Sequence, residues 1–391
     1  MIPVMNVSRQ YASLQNELDS VVLDVLHSGN YILGDTVARF EKDFAEYCGV
    51  KYAVGVANGT DALIIALEAC GIGVGDEVIV PDMTFVATVE AVVQVGATPV
   101  LVDIDADTFT IDVNKIETAV SEKTKAIIPV HIYGQMADMD SINSIAKKYS
   151  LKVIEDCAQA AGAKYKGHRA GSLGDVGCVS FFPTKNLGAA GDGGMILTSD
   201  EGIYKICQAL RVHGSGINGA YAKSVKENTS FDEGSIDFHG NLPKYYNYVI
   251  GHNSRLDALQ AAILSVKLKQ LDSWNEKRRQ IARKYDEEIL NKNIKKIVVA
   301  DGNEHIYYVY PVKVVHREHF RNYMKDNDIA TGVYFPVPMH KQECFSYLEC
   351  KQDDFSTTED WANHMVTIPM FPELTEAEIS HIIQVVNNYK M

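Results

Sequence analysis

Between about residues 50 and 200 the chain alternates short apolar runs with helix-forming stretches, and this alternation restricts the fold more than any other feature. Val78-Ile79-Val80, Val100-Leu101-Val102, Ala126 to Val130, Val153-Ile154 and Val176 to Phe181 are short and bounded, as buried strands are. Between them, Thr60 to Cys70, Ala87 to Val95 and Met139 to Tyr149 carry apolar residues at helical spacing. Strands apolar on both faces need cover on both faces. The pattern therefore predicts an α/β fold, a mostly parallel sheet between helices. Ligands of such sheets gather at the carboxyl ends of strands. Asp156 and Gln159 follow one strand end, and Ser180 sits near another.

The length of 391 residues exceeds one typical domain. We expect a large domain over residues 1–265 and a smaller C-terminal α+β domain over 266–391, with a cleft between them. Ser254 is a plausible N-cap for a helix-forming region that extends toward Tyr285. Beyond it, Ile297-Val298-Val299 and Tyr307 to Val315 read as strands. Residues about 215–247, including Ile217 to Ala220 and Phe231 to Ser235, are polar, glycine-bearing and aperiodic, and read as a long loop, either functional or disordered.

Composition narrows the function class. A net charge of −14 argues against nucleic acid or an anionic membrane as partner. The seven cysteines are scattered, odd in number and without a Cys-x-x-Cys pair, as reduced thiols are. With no basic, apolar leader and no run long enough to span a bilayer, the expected location is cytoplasmic. No His-x-x-x-His or Cys/His cluster suggests a metal, no Gly-x-Ser-x-Gly elbow a serine hydrolase, and no Gly-x-x-x-x-Gly-Lys-Ser/Thr a nucleotide P-loop.

What remains is Lys185. It lies in Pro183-Thr184-Lys185-Asn186-Leu187-Gly188, after a buried strand and before Gly191-Asp192-Gly193-Gly194. A desolvated lysine among small residues is a nucleophile toward carbonyls. If its partner is the aldehyde of pyridoxal 5′-phosphate (PLP), three further parts are needed. Asp156 is placed to hold the pyridine nitrogen protonated, with Gln159 near the phenolic oxygen. Asn58-Gly59-Thr60, opening a helix, offers a phosphate cup. Phe85, after another strand, offers a face for the ring. Singly each has a plainer reading: helix capping by Asn58, a strand-end acid, a turn amide, a core phenylalanine. Together they favour the cofactor.

In this order the motifs resemble the DegT/DnrJ/EryC1/StrS family of nucleotide-sugar aminotransferases over nearly the full chain. Matching stretches are Ser28 to Gly34, Ala57 to Leu63, Glu155 to Ala160, Ser180 to Gly194, Gly251 to Asp257 and Phe335 to Gln342. The resemblance implies an aspartate-aminotransferase-like PLP fold acting as a homodimer with shared active sites. It implies that Lys185 is the Schiff-base lysine, Asp156 the pyridinium partner, and Gln159 the contact to the phenolic oxygen. Phe85 would stack on the ring, and Gly59, Thr60 and Ser180 would bind the phosphate. Asn253 would reach the phosphate of the neighbouring subunit, and Tyr334, His340 and Gln342 would lie on the substrate side. Two departures stand out. Many relatives have His-Tyr-Pro where this chain has Tyr334-Phe335-Pro336, and the stretch from His213 to Gly251 is longer than in many of them. That stretch leads into Asn253, which suggests that it folds over the nucleotide end of the substrate.

The expected activity is transfer of an amino group from an amino acid, glutamate by resemblance, to a nucleotide-linked (dTDP or UDP) sugar. A 3-keto sugar is favoured over a 4-keto one. A PLP-dependent lyase shares the fold and lysine without needing the Asn253 and His340 motifs. A ligand-sensing protein on the same fold predicts a degraded lysine site.

Overall fold

The computed structural model describes residues 1–233, 245–348 and 352–390. Its centre is a seven-stranded sheet, in the order Tyr52–Val56, Gly194–Thr198, Val176–Ser180, Lys152–Asp156, Thr124–Ile127, Glu77–Pro81, Thr98–Val102. The strands between Val176 and Val102 in this order pair in parallel. Parallel neighbours need a crossover, and helices Val86–Gln94 and Met139–Tyr149 supply two of them. Gly194–Thr198 runs antiparallel to both its neighbours. It follows Val176–Ser180 through a loop with no helix, so it can only turn back. That loop carries Lys185.

Alternation along each strand fixes the two faces. Ile79, Ile127, Val153, Val179 and Leu197 enter one core with Phe40, Phe44, Phe181 and Leu264. Val78, Val80, Ala126, Ile128, Ile154 and Cys178 enter the other, with Leu63, Ile65 and Leu67 of the helix Gly59–Ala69. Each fully buried side chain of this size contributes about 1.5–3 kcal/mol, so a register slip of one residue is heavily disfavoured. The register sets Asp156 beside Cys178 and Ser180 beside Gly194, which in turn pairs with Val56. One sheet edge thus gathers the ends of three strands.

The C-terminal part holds a smaller antiparallel sheet of Lys295–Lys296, Tyr310–Lys313 and Met365–Ile368. Its core takes Tyr285, Phe320, Ile382 and Val386, together with Ile2 from the start of the chain.

Four sequence expectations change. Gly216–Lys226 is an α-helix rather than loop, while residues 234–244 of the same stretch lie outside the described residues. The region after Ser254 is two helices, Ala258–Leu268 and Leu271–Glu288, and Asp257, not Ser254, precedes the first. Ser254 instead donates from Oγ to Asp61 Oδ2 at 2.5 Å and accepts the Ala57 N–H at 3.0 Å, tying this segment to the Asn58 turn. The strand expected at residues 297–299 is Lys295–Lys296, and that expected from Tyr307 begins at Tyr310, because Tyr307 and Tyr308 bond the Arg278 guanidinium through their carbonyls. Among the described residues, no helix is long and apolar enough to cross a membrane.

Candidate functional site

At the gathered sheet edge lies a cavity of about 450 Å³. Gly59, Thr60, Phe85, Asp156, Gln159, Ser180, Lys185 and Tyr334 all line it. Residues more than two hundred positions apart in sequence therefore meet at one point.

The lysine loop is held from several sides. Lys185 N–H closes a turn on the Phe182 carbonyl at 2.8 Å, and Ala189 N–H returns to the Phe181 carbonyl at 2.8 Å. Gly188 packs so closely that a Cβ there would meet the Pro183 carbonyl oxygen at 2.3 Å. Asn186 donates to Asn275 Oδ1 at 2.7 Å and the Ile306 carbonyl at 3.2 Å, and buried Lys267 donates to the Gly188 carbonyl at 2.7 Å. These contacts fix the backbone and leave the Lys185 amine facing the cavity. Burial pushes its pKa down to about 8, against the opposing pull of Asp156. A large share of neutral amine near that pH is what attack on a carbonyl requires.

Asp156 accepts the Thr88 hydroxyl at 2.8 Å and the Ala158 N–H at 3.1 Å. The Thr88 hydroxyl also lies 2.7 Å from that of Thr84, so the carboxylate is backed by a chain of hydroxyls. Gln159 Oε1 accepts the Tyr133 N–H at 2.7 Å, leaving its NH2 group to donate. Asn58 caps the Gly59–Ala69 helix through the Asp61 N–H at 2.8 Å. The plain capping reading and the cup are thus compatible, since Gly59 and Thr60 keep their first-turn N–H groups for an anion.

The residues fit pyridoxal 5′-phosphate. A Cβ on Gly59 would stand 2.8 Å from Ser180 Cβ, so the cup is tight enough that only glycine lets the helix N-terminus and the Ser180 hydroxyl converge. An anion cradle, a carboxylate and a depressed-pKa amine around one apolar slot match the cofactor's phosphate, pyridine nitrogen and aldehyde.

Three expected residues lie outside the cavity lining. Asn253 is exposed on the single chain. Gln342 is half-buried and donates to the Val337 carbonyl at 3.2 Å. His340 directs Nδ1 to Asp82 at 2.6 Å and Nε2 to Glu359 at 3.1 Å, and its N–H also donates to Asp82 at 2.8 Å. With both ring nitrogens occupied, His340 ties the segment that carries Tyr334 to the loop that carries Phe85. Arg211 likewise bonds Glu41 and the Gly55 carbonyl, as a brace.

Sequence reasoning missed Thr84, Thr88, Tyr308 and Phe335, which also line the cavity. Thr84 and Thr88 do leave a signal: two hydroxyls that flank Phe85, one just before the helix Val86–Gln94 and one in its first turn. It also missed a buried group of His131, Glu155 and Cys157 with metal-ligand spacing. Glu155 accepts His131 Nε2 at 2.8 Å and the N–H groups of Gly171, Leu173 and Gly174 at 2.9, 2.7 and 2.6 Å. Its lone pairs are occupied by these donors, which makes the group a brace for the strand that ends in Asp156.

Comparison with known proteins agrees with this geometry. The DegT/DnrJ/EryC1/StrS aminotransferase family matches residues 12–387. The chain is 45% identical over 389 residues to a dTDP-3-amino-3,6-dideoxy-alpha-D-galactopyranose transaminase of Aneurinibacillus thermoaerophilus, covering 100% of this chain and 99% of that one. It is 44% identical to a pleiotropic regulatory protein of Geobacillus stearothermophilus, over 98% and 97% of the two chains. The structure of S. venezuelae DesV in complex with a ketimine intermediate superposes with a TM-score of 0.90 at 35% identity, over 99% and 97% of the chains. The cofactor of the family is pyridoxal 5′-phosphate. With its aspartate-aminotransferase-like fold, the chain belongs to the DegT/DnrJ/EryC1/StrS family of PLP-dependent aminotransferases.

Proposed function

We propose that the chain moves an amino group from L-glutamate to the 3-keto group of a dTDP- or UDP-linked sugar, in two half-reactions at one site. The observation that carries this reading is the convergence of Lys185, Asp156 and the Gly59–Ser180 cradle on one cavity. The 3-amino sugar named for the A. thermoaerophilus relative supports the regiochemistry.

When bound, the cofactor supplies an aldehyde that bonds amines and a protonated ring that draws electrons from the donor's α-carbon. The chain's own residues do the rest. Asp156 keeps the proton on the pyridine nitrogen, and Thr88 and Ala158 hold that carboxylate aligned. Gly59, Thr60 and Ser180 grip the phosphate, Gln159 donates to the phenolic oxygen, and Phe85 covers the ring. Lys185 Nζ would hold the cofactor's aldehyde carbon and, when released from it, would be free to take up a proton. Lys185 then takes the proton from the donor α-carbon and delivers it to the former aldehyde carbon; with the keto sugar it runs the same transfer in reverse. Tyr334 meets the sugar, and His340 and Gln342 support the segment that presents it. Asn253 reaches the phosphate in the site of a second copy, so the working unit is a homodimer.

The test is to incubate the purified protein with L-glutamate and a panel of 3-keto and 4-keto dTDP- and UDP-sugars, identifying products by mass spectrometry and NMR. Amination at C3 is expected. Amination only at C4 overturns the regiochemistry, and no transfer to any sugar overturns the function.

A further inference from the structure

Lys185 Nζ stands 4.5 Å from the centroid of the Tyr308 ring. That ring cannot follow the lysine. Tyr308 N–H donates to the Tyr133 carbonyl at 2.8 Å, and the Tyr308 carbonyl accepts from Arg278 Nη1 at 3.4 Å. Arg278 is fully buried and also bonds the Tyr307 and Met370 carbonyls, at 3.0 and 2.8 Å, so the anchor is rigid. At the other end, the Tyr308 hydroxyl lies 3.3 Å from Thr184 Oγ1, on the residue before the lysine. Tyr334 packs edge-on against the ring with centroids 6.3 Å apart.

This placement answers a problem set by the proposed reaction. A lysine that shuttles a proton must become an ammonium in a site whose burial disfavours the charge. A carboxylate bonded directly to it would hold the proton too firmly. An aromatic face attracts the ammonium more than the amine and accepts no proton. Burial holds the Tyr308 hydroxyl above its usual range, so the phenol does not compete as an acid.

We propose that Tyr308 is the resting face of Lys185 whenever the lysine is not bonded to the aldehyde carbon, its ring holding the ammonium over the cavity between the two proton transfers. The proton leaves the donor α-carbon for Nζ, is carried as ammonium against the ring, and leaves Nζ for the former aldehyde carbon. No bond to Tyr308 forms or breaks. This inference rests on the proposed role of Lys185, which the borohydride mapping described in the Discussion tests separately.

The experiment uses holoenzyme converted by L-glutamate to its aminated form, in which Lys185 is released. Trace acetylation with acetic anhydride from pH 6 to 11, read by mass spectrometry of the Lys185 peptide, gives the titration of that one amine. Tyr308→Leu removes the ring face and should move the Lys185 midpoint to lower pH by about 0.4–1.5 units. It should also slow exchange of the glutamate α-proton into deuterated water about 2- to 30-fold, with little change in glutamate KM. Tyr308→Phe keeps the face and should titrate as the parent does. An unmoved midpoint in Tyr308→Leu overturns the proposal, as does an equal shift in Tyr308→Phe, which would point to the hydroxyl. If Tyr308→Leu does not fold, Thr184→Val decides between ring and hydroxyl. It removes the hydroxyl partner and leaves the ring, so an unchanged midpoint supports the face and a lowered one overturns it.

Discussion

Replacing Gly59 with alanine strains the phosphate cup where it has least room. The added methyl would sit 2.8 Å from Ser180 Cβ and 3.3 Å from the Ser180 Cα and hydroxyl oxygen. Comfortable carbon–carbon contact begins near about 3.5 Å, so the helix start and strand end must part by roughly 0.7 Å. Two effects oppose each other. Alanine is the better helix former by about 1 kcal/mol, whereas overpacking costs about 1–3 kcal/mol. The obstructing atoms belong to a strand end and not to the tip of a flexible side chain, so overpacking wins, with a net cost of about 0–2 kcal/mol. The effect on the cofactor is larger. The same displacement moves the Gly59 and Thr60 N–H groups away from the Ser180 hydroxyl, and losing one hydrogen bond to a charged phosphate costs about 1.5–3 kcal/mol. Absorbance titration of PLP should therefore show a dissociation constant raised about 10- to 100-fold, with a Tm slightly lowered in the cofactor-free protein. A variant that binds PLP as tightly as the parent and melts several degrees higher would refute the cup, because helix propensity alone would then account for the site.

Thr88→Val removes the hydroxyl that bonds Asp156 and should lower kcat about 10-fold by steady-state assay, with little change in Tm; an unchanged kcat would mean that Asp156 needs no backing. His340→Ala leaves Asp82 buried without its partner and should cost about 3–5 kcal/mol in urea unfolding. Burial disfavours the His340 charge, but Asp82 and then Glu359 outweigh it, so its pKa is raised. A raised pKa stabilises fully below the unfolded value of about 6.5, and the contribution is lost as pH rises through the folded value. Asp82 is also pushed up, chiefly by burial, and its cost falls in the carboxylate range below this window. The parent should therefore lose stability from about pH 6.5 upward, and His340→Ala should show a flatter curve there; parallel curves would remove His340 as the source.

Much of this was legible in the chain because two periodicities are strong. Buried strands and amphipathic helices placed Asp156, Gln159 and Ser180 at strand ends, and these converge on Lys185 as expected for an α/β sheet. What was missed depends on contacts distant in sequence. Tyr308 reaches Lys185 only because Arg278 holds the backbone of residues 307 and 308 out of the strand. The two helices after Asp257 meet at Lys269 and Gln270 with no glycine or proline between them, so periodicity reads through the break. In Gly216–Lys226 the reverse holds. Gly219 looks like a breaker, but a Cβ there would lie 2.2 Å from the Gly214 carbonyl oxygen, so it is required for close packing within a helix. The resemblance puts His340 in a substrate-side segment with Tyr334, and nothing local reveals that Asp82 and Glu359 bond its ring nitrogens.

The central claim is that Lys185 anchors the cofactor, and the chain contains its own control. Burial also brings the pKa of Lys267 down to about 8, yet its amine bonds the Gly188 carbonyl and stands outside the cavity lining. Reducing the holoenzyme with borohydride, digesting it and locating the pyridoxyl group by mass spectrometry separates the two. The label is predicted on Lys185 alone; a label on Lys267, or on no lysine, would contradict the account.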